Sequence, residues 1–304
     1  MTGTVDVLLP NFFIIGANKA GTTSLHRYVA QHPDVYMSPV KEPMFFAPEP
    51  PEVRRDDPAW RATNRAQVIE NLEEYRALFA GADGERVRGE SSTAYLSKPQ
   101  TPPLIKAAVP DAKLVAVLRN PSERAFSAYA MHRQWGVEPL SFADAVSAEL
   151  DSGVDVGRKR IYVKLGYYGR FLSRYLEHFD RGQIQIHLYE DLIADPIDLV
   201  HEVLTFLDVD PAFTPDLATR YNVTQYEPRS RAVDRFARAR AVKTIAYRFL
   251  PERGLARARE LLRRRNSVVP EFPDDVRRRL VDLYREDILL TQEIVGRDLS
   301  SWLT

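Results

Sequence analysis

Two stretches carry side chains whose types and spacing suit an anionic ligand. Phe12 to Tyr28 reads FFIIGANKAGTTSLHRY, in which β-forming residues run into Gly16 and then reach Lys19, Ala20, Gly21, Thr22, Thr23 and Ser24. A loop that opens a helix turns free backbone N–H groups toward its ligand, and the helix dipole adds positive potential. In the common phosphate loop, G-x-x-x-x-G-K-[ST], the lysine follows the second glycine. Here Gly16 and Gly21 keep that spacing, but Lys19 lies between them and Thr22 holds the lysine's place. Either the loop holds no phosphate or it holds a different phosphate compound. A turn N-capped by Thr22 or Thr23, with Lys19 merely solvated, accounts for the same residues.

The second stretch, LVAVLRNPSERAFSAY, puts Arg119 where an apolar strand becomes loop and Ser127 eight residues later on a helix opened by Pro121. A guanidinium and a hydroxyl so placed can converge on another phosphate. The plainer reading has Pro121 or Ser122 at the helix cap, Arg119 in a salt bridge, and Ser127 against a backbone carbonyl.

The elements that would position these groups follow from pattern. Phe12 to Ile15 and Leu114 to Leu118 read as buried strands, and 183–192 alternates like a strand. Helical spacing runs over 22–31, 73–80, 166–179, 196–209 and 274–296, and 85–96 begins as a strand and leaves it near Gly89. The repeated strand-then-helix order predicts an α/β fold, a P-loop-like central parallel sheet flanked by helices, with a helical C-terminal portion. Ligands of such sheets bind at the carboxyl ends of the strands, where both loops fall. The proline-rich, charged run at 47–65 reads as a surface loop.

At 304 residues and 44% hydrophobic composition the chain can bury a large core. It is expected to be one domain over 1–304, with a nucleotide-binding core at about 10–210 and a basic helical portion at about 225–304. The 42 basic residues balance 42 acidic ones, so no nucleic-acid partner is expected. The absence of cysteine excludes disulfides and thiolate chemistry, and no histidine has metal-ligand spacing, so no metal is expected. Arginine (34) far outnumbers lysine (8), a bias expected of a GC-rich bacterial genome. The first residues lack a basic leader, and Pro10 and Asn11 break their apolar run, so neither a signal peptide nor a spanning helix is expected and the location is expected to be cytoplasmic. Charge concentrates at 229–265, where thirteen basic residues meet three acidic ones, a local charge of +10. That run reads as a solvated helical face, as a lid over an anionic nucleotide led by Arg229 and Arg231, or as a weak membrane-surface contact.

The segments NKAGTTSLHRYVAQHPDV, KEPMFF, GESSTAYL and LVAVLRNPSERAFSAY, in this order and spacing, resemble the sulfotransferases that use 3′-phosphoadenosine 5′-phosphosulfate (PAPS), especially bacterial members related to the heparan sulfate enzymes. The resemblance implies that the first loop binds the 5′-phosphosulfate, that Lys19 serves the leaving phosphate, and that Arg119 with Ser127 binds the 3′-phosphate. It implies transfer of a sulfuryl group to a hydroxyl of a small-molecule, glycan or lipid-like acceptor, leaving 3′-phosphoadenosine 5′-phosphate (PAP). Glu42 matches the family's catalytic base, and Pro43 to Phe46 are expected to give it apolar surroundings that raise its proton affinity. Taken without the resemblance, Lys41 and Glu42 read as ordinary surface charges. Two departures put a sulfated polysaccharide acceptor in doubt: Met44 stands where the 3-O-sulfotransferases carry a histidine, and Ser91 where they carry a lysine. His132 is a candidate second catalytic group, against the commoner structural role of a lone helical histidine. The rival readings are an ATP-dependent small-molecule kinase with a divergent P-loop and a non-catalytic nucleotide-binding module.

Overall fold

The computed structural model describes residues 9–47, 69–151, 161–218, 227–228, 267–268 and 271–304. The basic run at 229–265, with Arg229 and Arg231, lies outside them, as does all but the start of the expected loop at 47–65.

Five strands form one parallel sheet: β1 (Phe12–Gly16), β2 (Val35–Met37), β3 (Val87–Ser91), β4 (Lys113–Leu118) and β5 (Ile184–Leu188), in the order β2-β3-β1-β4-β5. Around it run α1 (Thr22–Val29), α2 (Leu72–Ala77), α3 (Thr101–Ala108), α4 (Pro121–Trp135), α5 (Phe142–Asp151), α6 (Tyr168–Leu176), α7 (Tyr189–Ala194), α8 (Pro196–Phe206) and α9 (Asp274–Val295). A short antiparallel pair joins β6 (Glu227–Pro228) to β7 (Ser267–Val268). Every residue of β1 is buried, and only Lys113 of β4 is not. A strand covered on both faces has no polar side to show, hence the unbroken apolar runs.

Several expectations need correction. The strand expected to leave the sheet near Gly89 continues to Ser91. Gly89 is a packing glycine: a Cβ there would lie 2.4 Å from Met37 Sδ and 2.6 Å from Phe12 Cδ1. The strand expected over 183–192 stops at Leu188, and Tyr189–Ala194 is helical. Helix α3 sits in TPPLIKAA, where Pro102 and Pro103 conceal it by occupying the first turn, the place a helix tolerates them.

Helix α9 closes the structure against α6. It buries Val276, Leu280, Tyr284 and Ile288, and its Asp287 carboxylate accepts the backbone N–H groups of Gly169 (2.9 Å) and Arg170 (3.0 Å). A carboxylate from one helix thus caps the first turn of another. Trp302 of the C-terminal GRDLSSW is buried beside Tyr168. Among the described residues no helix is long and apolar enough to cross a membrane.

Candidate functional site

Strand β1 is flanked by β3 on one side and β4 on the other, so the chain switches direction across the sheet at the carboxyl end of β1. Such a switch point leaves a crevice. A cleft of about 450 Å³ opens there, lined by Lys19, Gly21, Thr22 and Thr23 of the first loop, by Glu42 and Thr93, and by Met131 and His132 of α4.

The first loop is built to present its backbone. Gly21 is the N-cap of α1 at φ 84°, and no side chain among the described residues caps the helix. The cap expected from Thr22 or Thr23 is therefore not formed. A Cβ at Gly21 would meet Leu192 Cδ2 at 2.4 Å, so glycine is required by both space and conformation. The N–H groups of Ser24 and Leu25 return to the Gly21 carbonyl. Ser24 and Ala20 are buried and stand outside the cleft lining.

Lys19 also has positive φ, 68°, a costly conformation for a side-chain-bearing residue and one that clusters at functional sites. Its Nζ lies 3.5 Å from Met131 Sδ, and among the described residues it has no carboxylate partner. Burial lowers its pKa to about 8, helped by the positive charges of Arg119 and Arg124. Lys19 thus feels two further positive charges, those of Arg119 and Arg124.

Arg119 follows β4 and reaches the back of the loop, where Nη1 donates to the Lys19 carbonyl at 3.4 Å. Its guanidinium lies 4.8 Å from the centre of the Tyr189 ring and 3.7 Å from the Glu123 carboxylate. The helix cap expected at Pro121 or Ser122 is instead Asn120, which accepts from the N–H groups of Ser122 and Glu123. Ser127 is half-buried and, like Arg119, does not line the cleft. Arg124 is fully buried and gives one N–H to the Tyr162 carbonyl, while its Nε and Nη1 have no hydrogen-bond partner among the described residues. Sequence reasoning missed Arg124, whose signal was its place one helical turn after Asn120 in the quoted motif.

Across the cleft, Glu42 has φ 63°. Its carboxylate accepts from Lys41 Nζ (2.6 Å), the Thr93 N–H (2.8 Å) and Thr93 Oγ1 (3.2 Å). The apolar setting expected for it is thereby corrected. Phe45 and Phe46 turn away to stack around Tyr75, and polar donors hold the carboxylate. Thr93, inside the quoted GESSTAYL, was legible there as a motif residue but not as a partner of Glu42.

His132 does reach the cleft. Its Nδ1 lies 2.9 Å from Tyr162 Oη, and that hydroxyl is 2.8 Å from the buried Glu138 carboxylate. The Tyr162 hydroxyl gives its proton to Glu138, which leaves its oxygen to accept from His132 Nδ1. Nothing in the sequence ties residues 132, 138 and 162 together. Ser91 is fully buried against His26 Nδ1 at 2.9 Å, and burial lowers the His26 pKa to about 4. Both are core residues.

Residues 10–215 match the profile of the sulfotransferase family. A sulfotransferase from Alicyclobacillus acidocaldarius has a similar structure, with a TM-score of 0.73, 30% identity, and coverage of 97% of this chain and 99% of that one. The human bifunctional heparan sulfate N-deacetylase/N-sulfotransferase 3 is 29% identical over 213 residues, 67% of this chain and 23% of that protein. The human heparan sulfate glucosamine 3-O-sulfotransferase 3B1 is 25% identical over 302 residues, 98% of this chain and 66% of that protein. The chain thus spans less than a quarter of the first human relative and just under two thirds of the second.

Proposed function

Because the chain belongs to the sulfotransferase family, we propose that it moves a sulfuryl group from PAPS to an acceptor hydroxyl, with the donor's phosphosulfate on the Lys19–Thr23 loop. The observation that carries this reading is Lys19, an ammonium with no carboxylate partner among the described residues, set at an open helix N-terminus in the same cleft as Glu42. An anion supplies the partner that the protein withholds.

Sulfuryl transfer requires in-line approach of the nucleophile and stabilisation of charge on the departing phosphate. Lys19 bonds the bridging oxygen more strongly as that charge grows, which lowers the barrier and not only the dissociation constant. Glu42 takes the acceptor's proton, and His132 stands beside the same space as a second polar group. Arg119 and Ser127 hold the 3′-phosphate. The cleft's remaining wall includes the apolar side chains of Met131, Trp135, Ile161 and Leu165. That supports an alcohol with an apolar body, whether small-molecule or lipid-like, over a polyanionic glycan. A kinase reading is disfavoured because Thr22 occupies the P-loop lysine's place.

Calorimetry should show PAP binding in the absence of magnesium, with ATP binding much more weakly. Radiolabelled PAPS offered with a panel of alcohols, including nitrophenol, and with desulfated glycans should label the apolar alcohols. Tight ATP binding that requires magnesium would overturn the reading.

A further inference from the structure

Beneath Glu42 lies a second carboxylate that never meets the cleft. Glu90, near the end of β3, is fully buried. It accepts three hydroxyl protons: Tyr95 Oη at 2.6 Å and Tyr75 Oη at 2.8 Å on Oε1, and Ser92 Oγ at 2.8 Å on Oε2. Each hydroxyl has one proton, so giving it to Glu90 leaves only lone pairs for any other contact. Two of the three use them on one segment. Ser92 Oγ accepts the Met44 N–H at 3.1 Å, and Tyr95 Oη accepts the Phe46 N–H at 3.1 Å.

That segment, Glu42 to Phe46, carries two residues in the left-handed region, Glu42 at φ 63° and Met44 at φ 57°. Such a backbone persists only when its surroundings over-determine it. The Glu42 N–H also donates to the Ser91 carbonyl at 2.8 Å, so the segment is tied at alternate residues to the end of β3 and the turn that follows it. The two hydroxyl ties take their polarity from Glu90.

We propose that Glu90 is a positioning residue: by drawing the protons of Ser92 and Tyr95 it fixes their oxygens as acceptors, locks residues 42–46 in the left-handed path, and so aims the Glu42 carboxylate into the cleft. The proposal rests on the reading of Glu42 as proton acceptor. A polar network whose members are all satisfied is rigid, and catalytic geometry depends on such supporting groups. Tyr75 is the internal contrast, since it donates to Glu90 without any bond to the 42–46 backbone.

Hydrogen exchange and turnover in the full chain at pH 8, where Glu90 is ionised and can only accept, test this together. In Glu90→Gln the Met44 and Phe46 amides should exchange at least tenfold faster while the Gly21–Leu25 amides keep their protection. Turnover of nitrophenol should fall at least tenfold, with PAP affinity within twofold of the native value. Adding Glu90→Gln to Glu42→Gln should slow the reaction no further, the non-additivity expected of residues acting through one another. Unchanged protection at Met44 and Phe46, or a loss in the double variant that multiplies the two single losses, overturns the positioning role. Should Glu42→Gln keep full turnover, the proton-acceptor reading falls first, and the exchange data still report whether Glu90 holds the segment. If Glu90→Gln does not fold, the same measurements on Tyr95→Phe and Tyr75→Phe decide: a larger loss of protection in Tyr95→Phe supports the proposal, and equal losses overturn it.

Discussion

Lys19 gives the sharpest quantitative expectation, because its ammonium is held at a cost until an anion binds beside it. Burial, with the charges of Arg119 and Arg124, lowers its pKa from 10.5 to about 8. At about 1.36 kcal/mol per unit this corresponds to roughly 3 kcal/mol of destabilisation while the group is charged. The sign follows from proton counts. Between pH 8 and 10.5 the unfolded chain keeps a proton that the folded one has lost, so this group's contribution to stability rises with pH across that window. A bound bisphosphate reverses the balance by restoring the ammonium. At pH 7 about nine tenths of the ligand-free protein carries the charge, and at pH 9 about one tenth. PAP affinity should therefore fall about tenfold between these values, with uptake of nearly one proton at pH 9. The ligand's phosphates interfere little, because their second ionisation near pH 6 is already about nine tenths complete at pH 7. Calorimetry in two buffers of different ionisation enthalpy measures both quantities. In Lys19→Met the pH dependence should vanish, neutral-pH stability should rise by up to about 3 kcal/mol, and kcat should fall on the order of 100-fold. An affinity flat from pH 7 to 9 in the native protein, or an equal slope in the variant, would refute the reasoning.

Other consequences are open to simple measurement. Arg119→Ala should weaken PAP binding by roughly 10- to 100-fold, the value of a charge-assisted hydrogen bond, and raise the donor KM more than it lowers kcat; an unchanged KM would remove Arg119 from the donor site. Gly21→Ala, forced to φ 84° and against Leu192, should cost about 1–3 kcal/mol of stability by denaturant unfolding and weaken PAP binding. Burial pushes Glu90 up to about 7 against the pull of its three hydroxyl bonds, with the Glu42 charge adding to the rise. The folded state thus keeps a proton that the unfolded chain sheds near its ordinary value of 4.5. Stability should fall by about 3 kcal/mol as pH rises through that window, and Glu90→Gln should abolish the slope in urea titrations.

The features readable from the sequence are those whose cause is local. An apolar run of four or five residues ending at glycine is a buried strand in any fold, and a Gly-Thr-Thr turn before an amphipathic run opens a helix wherever it lies. Those rules placed β1, β4 and the two loops, and with them Lys19 and Arg119, correctly along the chain. The errors were local too. Pro102 and Pro103 concealed α3 because one residue type serves both breaks and first turns, and Gly89 imitated a strand exit because a packing glycine and a turn glycine look alike in sequence.

What only the tertiary structure decided is which groups face one another. The parallel sheet brings residues 19, 42, 93 and 132 to one crevice from four separate segments, and no period or spacing encodes that meeting. The surroundings of Glu42 show the difference. Its neighbours in sequence, Pro43 to Phe46, suggested an apolar pocket, yet the backbone turns left-handed at Glu42 and Met44 and sends the aromatic rings inward to Tyr75. The carboxylate is left to Lys41 and Thr93. Side-chain environment depends on φ and on long-range contacts, and a linear sequence states neither.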